Sequence, residues 1–217
     1  MKISKETLAI LKNFATINGN IKVKEGSDLK TIAPSRNVLA TAKATETFPV
    51  EFCIYDLGAF LNCVTLFEDA DLDFQEGFVT ISANNTKLKY KYSSPSIIVS
   101  PEKDIVIEDE PDVVFDLTND DLTKLFRGSE AVAGDFIKVS TAGNKIFFEA
   151  LDEKTTVNTF KMAIQVEGDL KEGQYNLKRK NMNFLPDDYK VTIWEKGISK
   201  FEGKTIPVTY FVALERE

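Results

Sequence analysis

VEFCIYDLGAFLNCV, residues Val50–Val64, decides the fold, because the chain repeats its grammar once. Val50, Phe52 and Ile54 recur with period two, as in a half-buried strand. Asp56 then stands where a helix N-cap belongs, and Leu57, Phe60, Leu61 and Val64 follow at helical spacing. The same order returns in VVFDLTNDDLTKLF, residues Val113–Phe126. There Thr118 is the cap and Asp120 and Asp121 favour the positive end of the helix. Leu122, Leu125, Phe126 and Ser129 form its packing face. The spacing predicts helices over Leu57–Phe67 and Asn119–Ala131.

Two further helices complete the pattern. KISKETLAILKNFATIN (Lys2–Asn18) predicts a helix over Lys5–Ile17, capped by Ser4 and stopped at Asn18-Gly19. A short one is expected over Lys180–Leu185, stopped by Pro186. The first and third helices lie about one domain length apart, as do the second and fourth. Strand signals fill the rest, at Asn20–Glu25, Val50–Ile54, Phe78–Ser82, Lys87–Tyr92, Phe136–Ser140, Lys145–Ala150, Thr159–Val166, Lys190–Trp194 and Thr209–Leu214. Asn84-Asn85 and Gly143-Asn144 read as hairpin turns, and Glu76-Gly77 and Pro186-Asp187-Asp188 as breaks. The expected class is α+β: two similar β-rich domains, 1–108 and 109–217, each with two helices, the first including a linker strand from about residue 93.

Charge is segregated. The chain carries 34 acidic against 27 basic side chains, a net charge of −7. Yet Lys2, Lys5 and Lys12 share one stripe of the first helix with the small Ala9 and Thr16. Ile3, Ile10, Leu11, Phe14 and Ile17 occupy the other side. Lys124 and Arg127 repeat the arrangement on the third helix, and Lys178, Arg179 and Lys180 stand at the start of the fourth. The second helix has no cation. Acids crowd instead between Glu102 and Asp121, against Lys103 alone. Each lysine by itself fits an ordinary solvated face; together they point to one basic helical layer on a β scaffold. Without arginine-rich groove readers or stacked aromatics, such a layer meets phosphates weakly, without sequence preference and with steep salt dependence.

Other chemistries find little support. The chain has no histidine, which excludes histidine triads and histidine-ligated metals. No P-loop, GxGxxG, GxSxG or metal-spaced cysteine set is present. No catalytic residue, cofactor or metal is therefore expected, and the chain reads as non-enzymatic. Asp187 and Asp188 are the only adjacent carboxylates that tempt a hydrolase reading, and they read better as a turn. Cys53 and Cys63 sit among apolar residues, as buried thiols in a reducing compartment do. No apolar run is long enough to cross a bilayer as a helix, and the start of the chain lacks the features of a signal peptide, so no membrane partner is expected. The segment Ser93–Asp112 reads as a linker strand packed along both domains or as an apolar seam beside a docking groove.

The blocks LKNFATIN (Leu11–Asn18), IYDLGAFL (Ile54–Leu61), PSIIVSPEK (Pro95–Lys103), PDDYKVTIWEKG (Pro186–Gly197) and KFEGKTIPVTYFVALE (Lys200–Glu215) occur in order along the whole chain. By them the sequence resembles the sliding clamps of T-even-type bacteriophages, the DNA polymerase processivity factors. The resemblance implies the DNA clamp fold in a ring-forming homotrimer, with helices lining the hole and sheets running around the outside. It implies that Lys5, Lys12, Lys124 and Arg127 face duplex DNA, joined by Lys2, Lys178, Arg179 and Lys180, and that the ring holds DNA by topology. It implies a pocket for the C-terminal peptide of the replicative polymerase, with Ile105, Val106 and Ile107 and Phe211, Val212 and Leu214 as candidate walls. Tyr90 occupies the place of an interface aromatic, and the Phe160–Ile164 strand of the next chain, with Phe160 and Met162, is its candidate partner; an ordinary core role for these residues is the alternative. A clamp-loader ATPase and a sigma-like factor of late transcription are the further implied partners, and the cytoplasm of the infected bacterial host the implied location. A structural β-rich assembly or virion protein that oligomerises through sheet edges is the competing reading.

Overall fold

The computed structural model describes residues 1–152 and 158–215. The end of the second domain, taken from the sequence to residue 217, lies outside them. The chain divides into two compact units, Met1–Asp104 and Ile105–Glu217, a few residues before the expected boundary. The reason is local. The Trp194 indole donates to the Asp109 carbonyl at 2.9 Å, and the Asp112 carboxylate accepts from the Glu195 backbone N–H at 2.8 Å. These bonds tie the end of the linker segment to the second unit.

The first unit runs α1 (Lys5–Ile17), β1 (Ile21–Val23), β2 (Gly26–Ile32), β3 (Val38–Phe48), β4 (Phe52–Ile54), α2 (Leu57–Thr65), β5 (Asp71–Gln75), β6 (Phe78–Ala83) and β7 (Thr86–Lys91). Here β1 pairs with β4 and β2 with β3, and β5-β6-β7 form a meander, all antiparallel. Helix α1 buries Thr7, Ile10, Leu11 and Phe14, and α2 buries Leu57, Phe60, Leu61 and Val64, the expected faces. Both caps form: the Thr7 N–H donates to Ser4 Oγ at 3.1 Å and the Ala59 N–H to Asp56 Oδ1 at 2.8 Å. A partner from far along the chain adds to the first. Glu46 of β3 accepts from the Ser4 N–H and, at 2.6 Å, from the Thr7 hydroxyl, so a carboxylate sits at the positive end of α1.

The second unit runs β8 (Val113–Leu117), α3 (Asn119–Ala131), β9 (Phe136–Ala142), β10 (Lys145–Leu151), β11 (Thr159–Gln165), β12 (Gly173–Lys178), β13 (Tyr189–Trp194), β14 (Ile198–Gly203) and β15 (Val208–Ala213). Its strands form the order β11-β10-β9-β12 and the antiparallel run β15-β14-β13-β8. Phe148, Ile137, Leu125 and Leu177, each at most 3% exposed, lie in its core; burying such a side chain contributes about 1.5–3 kcal/mol.

The helix expected over Lys180–Leu185 is a single 3-10 turn, Arg179–Asn181. Its cap position, Lys178, makes no side-chain cap bond. Asn181 and Asn183 are weak helix formers, and Pro186 disfavours helix in the residue before it. Phe184 instead stacks on Phe201 and Tyr210, at 4.6 and 4.7 Å between ring centroids.

Helix α3 ends as a Schellman motif. The Gly134 N–H donates to Ser129 O at 2.8 Å and the Ala133 N–H to Glu130 O at 3.1 Å. The left-handed position falls on Ala133, φ +52°, where glycine is the usual residue. Ala133→Gly is expected to raise stability by about 0.5–1 kcal/mol, read as a higher urea midpoint at unchanged slope. An unchanged or lower midpoint would contradict this account of the helix end.

Candidate nucleic-acid interface

The cationic faces follow from helix geometry. On α1 the buried residues fix which side faces the sheet, and Lys5, Ala9, Lys12 and Thr16 stand exposed on the other. On α3, burial of Leu122, Leu125, Gly128 and Ser129 leaves Lys124 and Arg127 exposed. Each unit therefore presents a helix with two exposed cations, Lys5 at the start and Lys12 past the middle of α1, and Lys124 and Arg127 on α3.

The remaining sequence candidates are placed less uniformly. Lys2 is exposed but ion-paired to Asp69, and that hydrogen bond holds its pKa above the usual lysine value. Lys178 spends its amine on Glu215, at 2.7 Å, and lies over the Phe136 ring. Arg179 lies over Phe126 of α3, its guanidinium carbon 3.7 Å from the ring centroid and a guanidinium nitrogen 3.6 Å from a Glu130 oxygen. Its side chain is only 20% exposed, and burial lowers its pKa while Glu130 opposes. Of that row only Lys180 stands exposed. Where a fourth helix was expected to bring three cations to the surface, the chain uses two of them for packing.

The candidate pocket walls are split. Val106 is 77% exposed between half-buried Ile105 and Ile107. On β15, Phe211 is half-buried, but Val212 is 0% exposed and faces the core with Val208 and Tyr210. Side chains alternate across a strand, so Phe211 and Val212 point to opposite faces. Val212 is a core residue and not a wall of an open groove. Leu214 is half-buried beyond the strand end.

The two candidate interface strands stand at ends of their sheets: β7 ends β5-β6-β7, and β11 ends β11-β10-β9-β12. Both alternate. Leu88 and Tyr90 are half-buried between exposed Lys87, Lys89 and Lys91; Phe160, Met162 and Ile164 are half-buried between Thr159, Lys161, Ala163 and Gln165. Tyr90 packs edge-on to Phe60 of α2 at 5.2 Å and donates its phenol to the Asp56 carbonyl at 3.3 Å. Burial pushes its pKa up. Phe160 lies on α3 at Gly128, so close that a Cβ there would meet its ring at 2.3 Å. Lysines on an edge strand discourage indiscriminate pairing, while an apolar row left half-buried is surface that a further strand would cover.

Asp187 and Asp188 are both engaged with neighbouring main chain. Asp187 accepts from the Thr205 hydroxyl at 2.6 Å and from the backbone N–H groups of Thr205, Ile206 and Asp188. Asp188 accepts from the Asn119 N–H at 2.8 Å, at the start of α3. They shape a turn and a helix start, as the turn reading expects. Sequence reasoning missed Glu46, Gly128 and the acceptor role of Asp188, whose partners lie far along the chain and leave no local signal.

Residues 114–216 match the family model described as gp45 sliding clamp, C terminal. The chain is 35% identical to the sliding clamp of Vibrio phage KVP40, over 99% of both chains. It is 31% identical to that of Enterobacteria phage T4, over 100% of this chain and 98% of the other. Among solved structures it is similar in fold to A. fulgidus PCNA bound to the C-terminal region of FEN-1, with a TM-score of 0.73, 12% identity and coverage of 99% and 97%. It is also similar in fold to the DNA polymerase III β subunit of Pseudomonas aeruginosa, with a TM-score of 0.70 and 12% identity over 98% of this chain and 63% of that one.

Proposed function

The chain belongs to the bacteriophage sliding-clamp family, a family of DNA polymerase processivity factors, and from that premise we propose that it closes as a homotrimer around duplex DNA and tethers the replicative polymerase. The observation that carries this reading is the matched pair of features in the two units: one exposed cationic helix and one sheet-end strand with a half-buried apolar row in each. Pairing β7 of one copy with β11 of the next is a heterologous contact, which closes into a ring when the rotation allows. Lys5, Lys12, Lys124 and Lys180 then face the phosphates. Contacts of this number and exposure are weak and exchange readily, which suits a ring that must slide.

The C-terminal peptide of the polymerase docks against Ile105, Val106, Ile107, Phe211 and Leu214. A clamp-loader ATPase opens the ring, a sigma-like factor of late transcription uses it as a mobile platform, and all of this takes place in the cytoplasm of the infected bacterium. The clamp itself performs no chemistry.

Mass measurement in solution tests the ring, and primer extension with loader and polymerase tests the tether. The expected mass is three times the 24.3 kDa of one chain, with long products only when loader and ATP are present. An oligomer that leaves extension unchanged fits the structural-assembly reading instead. A monomer that grips short linear duplex tightly contradicts both.

A further inference from the structure

Two features stand outside the reading above: a glycine buried in the last turn of α3, and a helix α2 whose residues Leu57–Thr65 include no charged side chain. Glycine is unfavourable inside a helix, so its position needs a reason. The reason is Phe160, whose ring rests on the bare helix backbone where any Cβ would collide with it. Gly128 thereby fixes how closely the end strand β11 lies against α3. A shallow hollow stays open beside the ring, lined along α3 by Asp120, Asp121, Thr123, Lys124, Arg127 and Ala131, so that its cations stand at the end away from the helix start.

The complementary arrangement lies at the other strand end. The Tyr90 phenol is bonded to the carbonyl of Asp56, which holds Asp56 beside β7. Asp56 is exposed, and its Oδ1 caps α2 through the Ala59 N–H. Its second oxygen lies at the edge of an otherwise uncharged helix. Tyr90 and Phe160 each face the helix side of their sheet, Tyr90 toward Phe60 and Phe160 toward Gly128. When β7 of one copy pairs with β11 of another, the two apolar rows share a face, with directly opposed side chains about 5 Å apart. That pairing sets the helix sides of the two sheets next to each other, α2 with Asp56 at its start on one copy and α3 with Arg127 and Gly128 on the other.

We propose that Arg127 pairs with Asp56 of the adjacent copy, and that the Gly128–Phe160 notch sets β11 in the position that lets them meet. The inference rests on the strand-end junction proposed above and assigns Arg127 to holding the ring together rather than to holding DNA. Arginine suits the task, since it stays charged and carries five N–H donors, which can reach the Asp56 oxygen that the helix cap leaves open. The uncharged face of α2 suits it too, as a helix that lies along another copy and not along phosphates.

Dilution series of the full chain, read by single-molecule mass measurement, test the pair. Asp56→Asn keeps an oxygen for the helix cap and removes the charge; Arg127→Gln removes the other. Each is expected to weaken trimer association by about three- to tenfold, and the double variant no more than the worse single one. Gly128→Ala is expected to weaken association by about tenfold with melting still cooperative; Phe160→Leu, which empties the notch without crowding it, is expected to act in the same direction. Lys5→Gln should leave the dilution curve unchanged. Effects of Asp56→Asn and Arg127→Gln that multiply in the double variant, or a trimer indifferent to all four substitutions, would overturn the proposal. A wild-type chain that is monomeric at every concentration would instead sink the junction itself.

Discussion

Replacing Lys5, Lys12 and Lys124 together by glutamate should lower processive primer extension by about tenfold at physiological salt while leaving the melting temperature, and the trimer mass at concentrations well above dissociation, unchanged. The three side chains are exposed on the outer faces of α1 and α3, so the fold loses no contact with them. Surface substitutions of this kind usually change stability by less than about 0.5 kcal/mol. Their effect on DNA is different in kind. Three reversals per chain turn nine attractive sites of a trimer into repulsive ones around a duplex that carries one charge per ~1.7 Å of axis. The signature lies in the salt dependence. Wild-type loading should fall as salt rises, and the variant should start low with a flatter slope. Extension that is equally processive in the two proteins across the salt series would remove the helical layer from the mechanism.

Asp187→Ala should lower unfolding stability by about 3–5 kcal/mol, because three backbone donors and one hydroxyl lose a common acceptor in a site only 6% exposed. The site also has no room to rearrange: a Cβ on Gly203 would fall 2.9 Å from the same carboxylate and 2.5 Å from the Ile206 carbonyl oxygen. Burial alone would push the Asp187 pKa up, but the hydrogen bonds from Thr205 and Ile206 outweigh it and hold the carboxyl below its ordinary value of 3.8. The unfolded chain therefore takes up this proton first as pH falls. The contribution of the carboxylate is fully present above the unfolded value and is lost as pH drops through the folded one. Urea unfolding between pH 6 and pH 2.5 should show wild-type stability falling more steeply at the acidic end than that of Asp187→Asn. Parallel pH profiles would show that the carboxylate is not the titrating group. The same variant separates this account from a hydrolase reading of Asp187 and Asp188, since here the loss appears in stability and not in turnover.

The sequence was most legible where one element decides its own form. The three α-helices begin at the expected caps, and α1 and α3 end where expected as well, because capping and apolar spacing are local. The hairpins at Asn84-Asn85 and Gly143-Asn144 follow from residues that accept positive φ, here +49° at Asn84 and +56° at Gly143. The long strand Val38–Phe48 escaped notice because alanines, poor strand formers with little apolar signal, carry its buried row at Ala40, Ala42 and Ala44. It is held by pairing with β2 and by the cover of α1.

Membership in the clamp family and the cationic stripes of α1 and α3 were determined by the sequence alone, because spacing on a helix settles which side chains share a face. Which cations stay free was decided only by the tertiary structure. Lys178 and Arg179 look like Lys124 and Arg127 in one dimension, yet Glu215 and the Phe126 ring claim them in three. The same holds for Val212, Gly128 and Glu46. Their roles depend on what a distant strand or helix brings against them, and no local pattern records that partner.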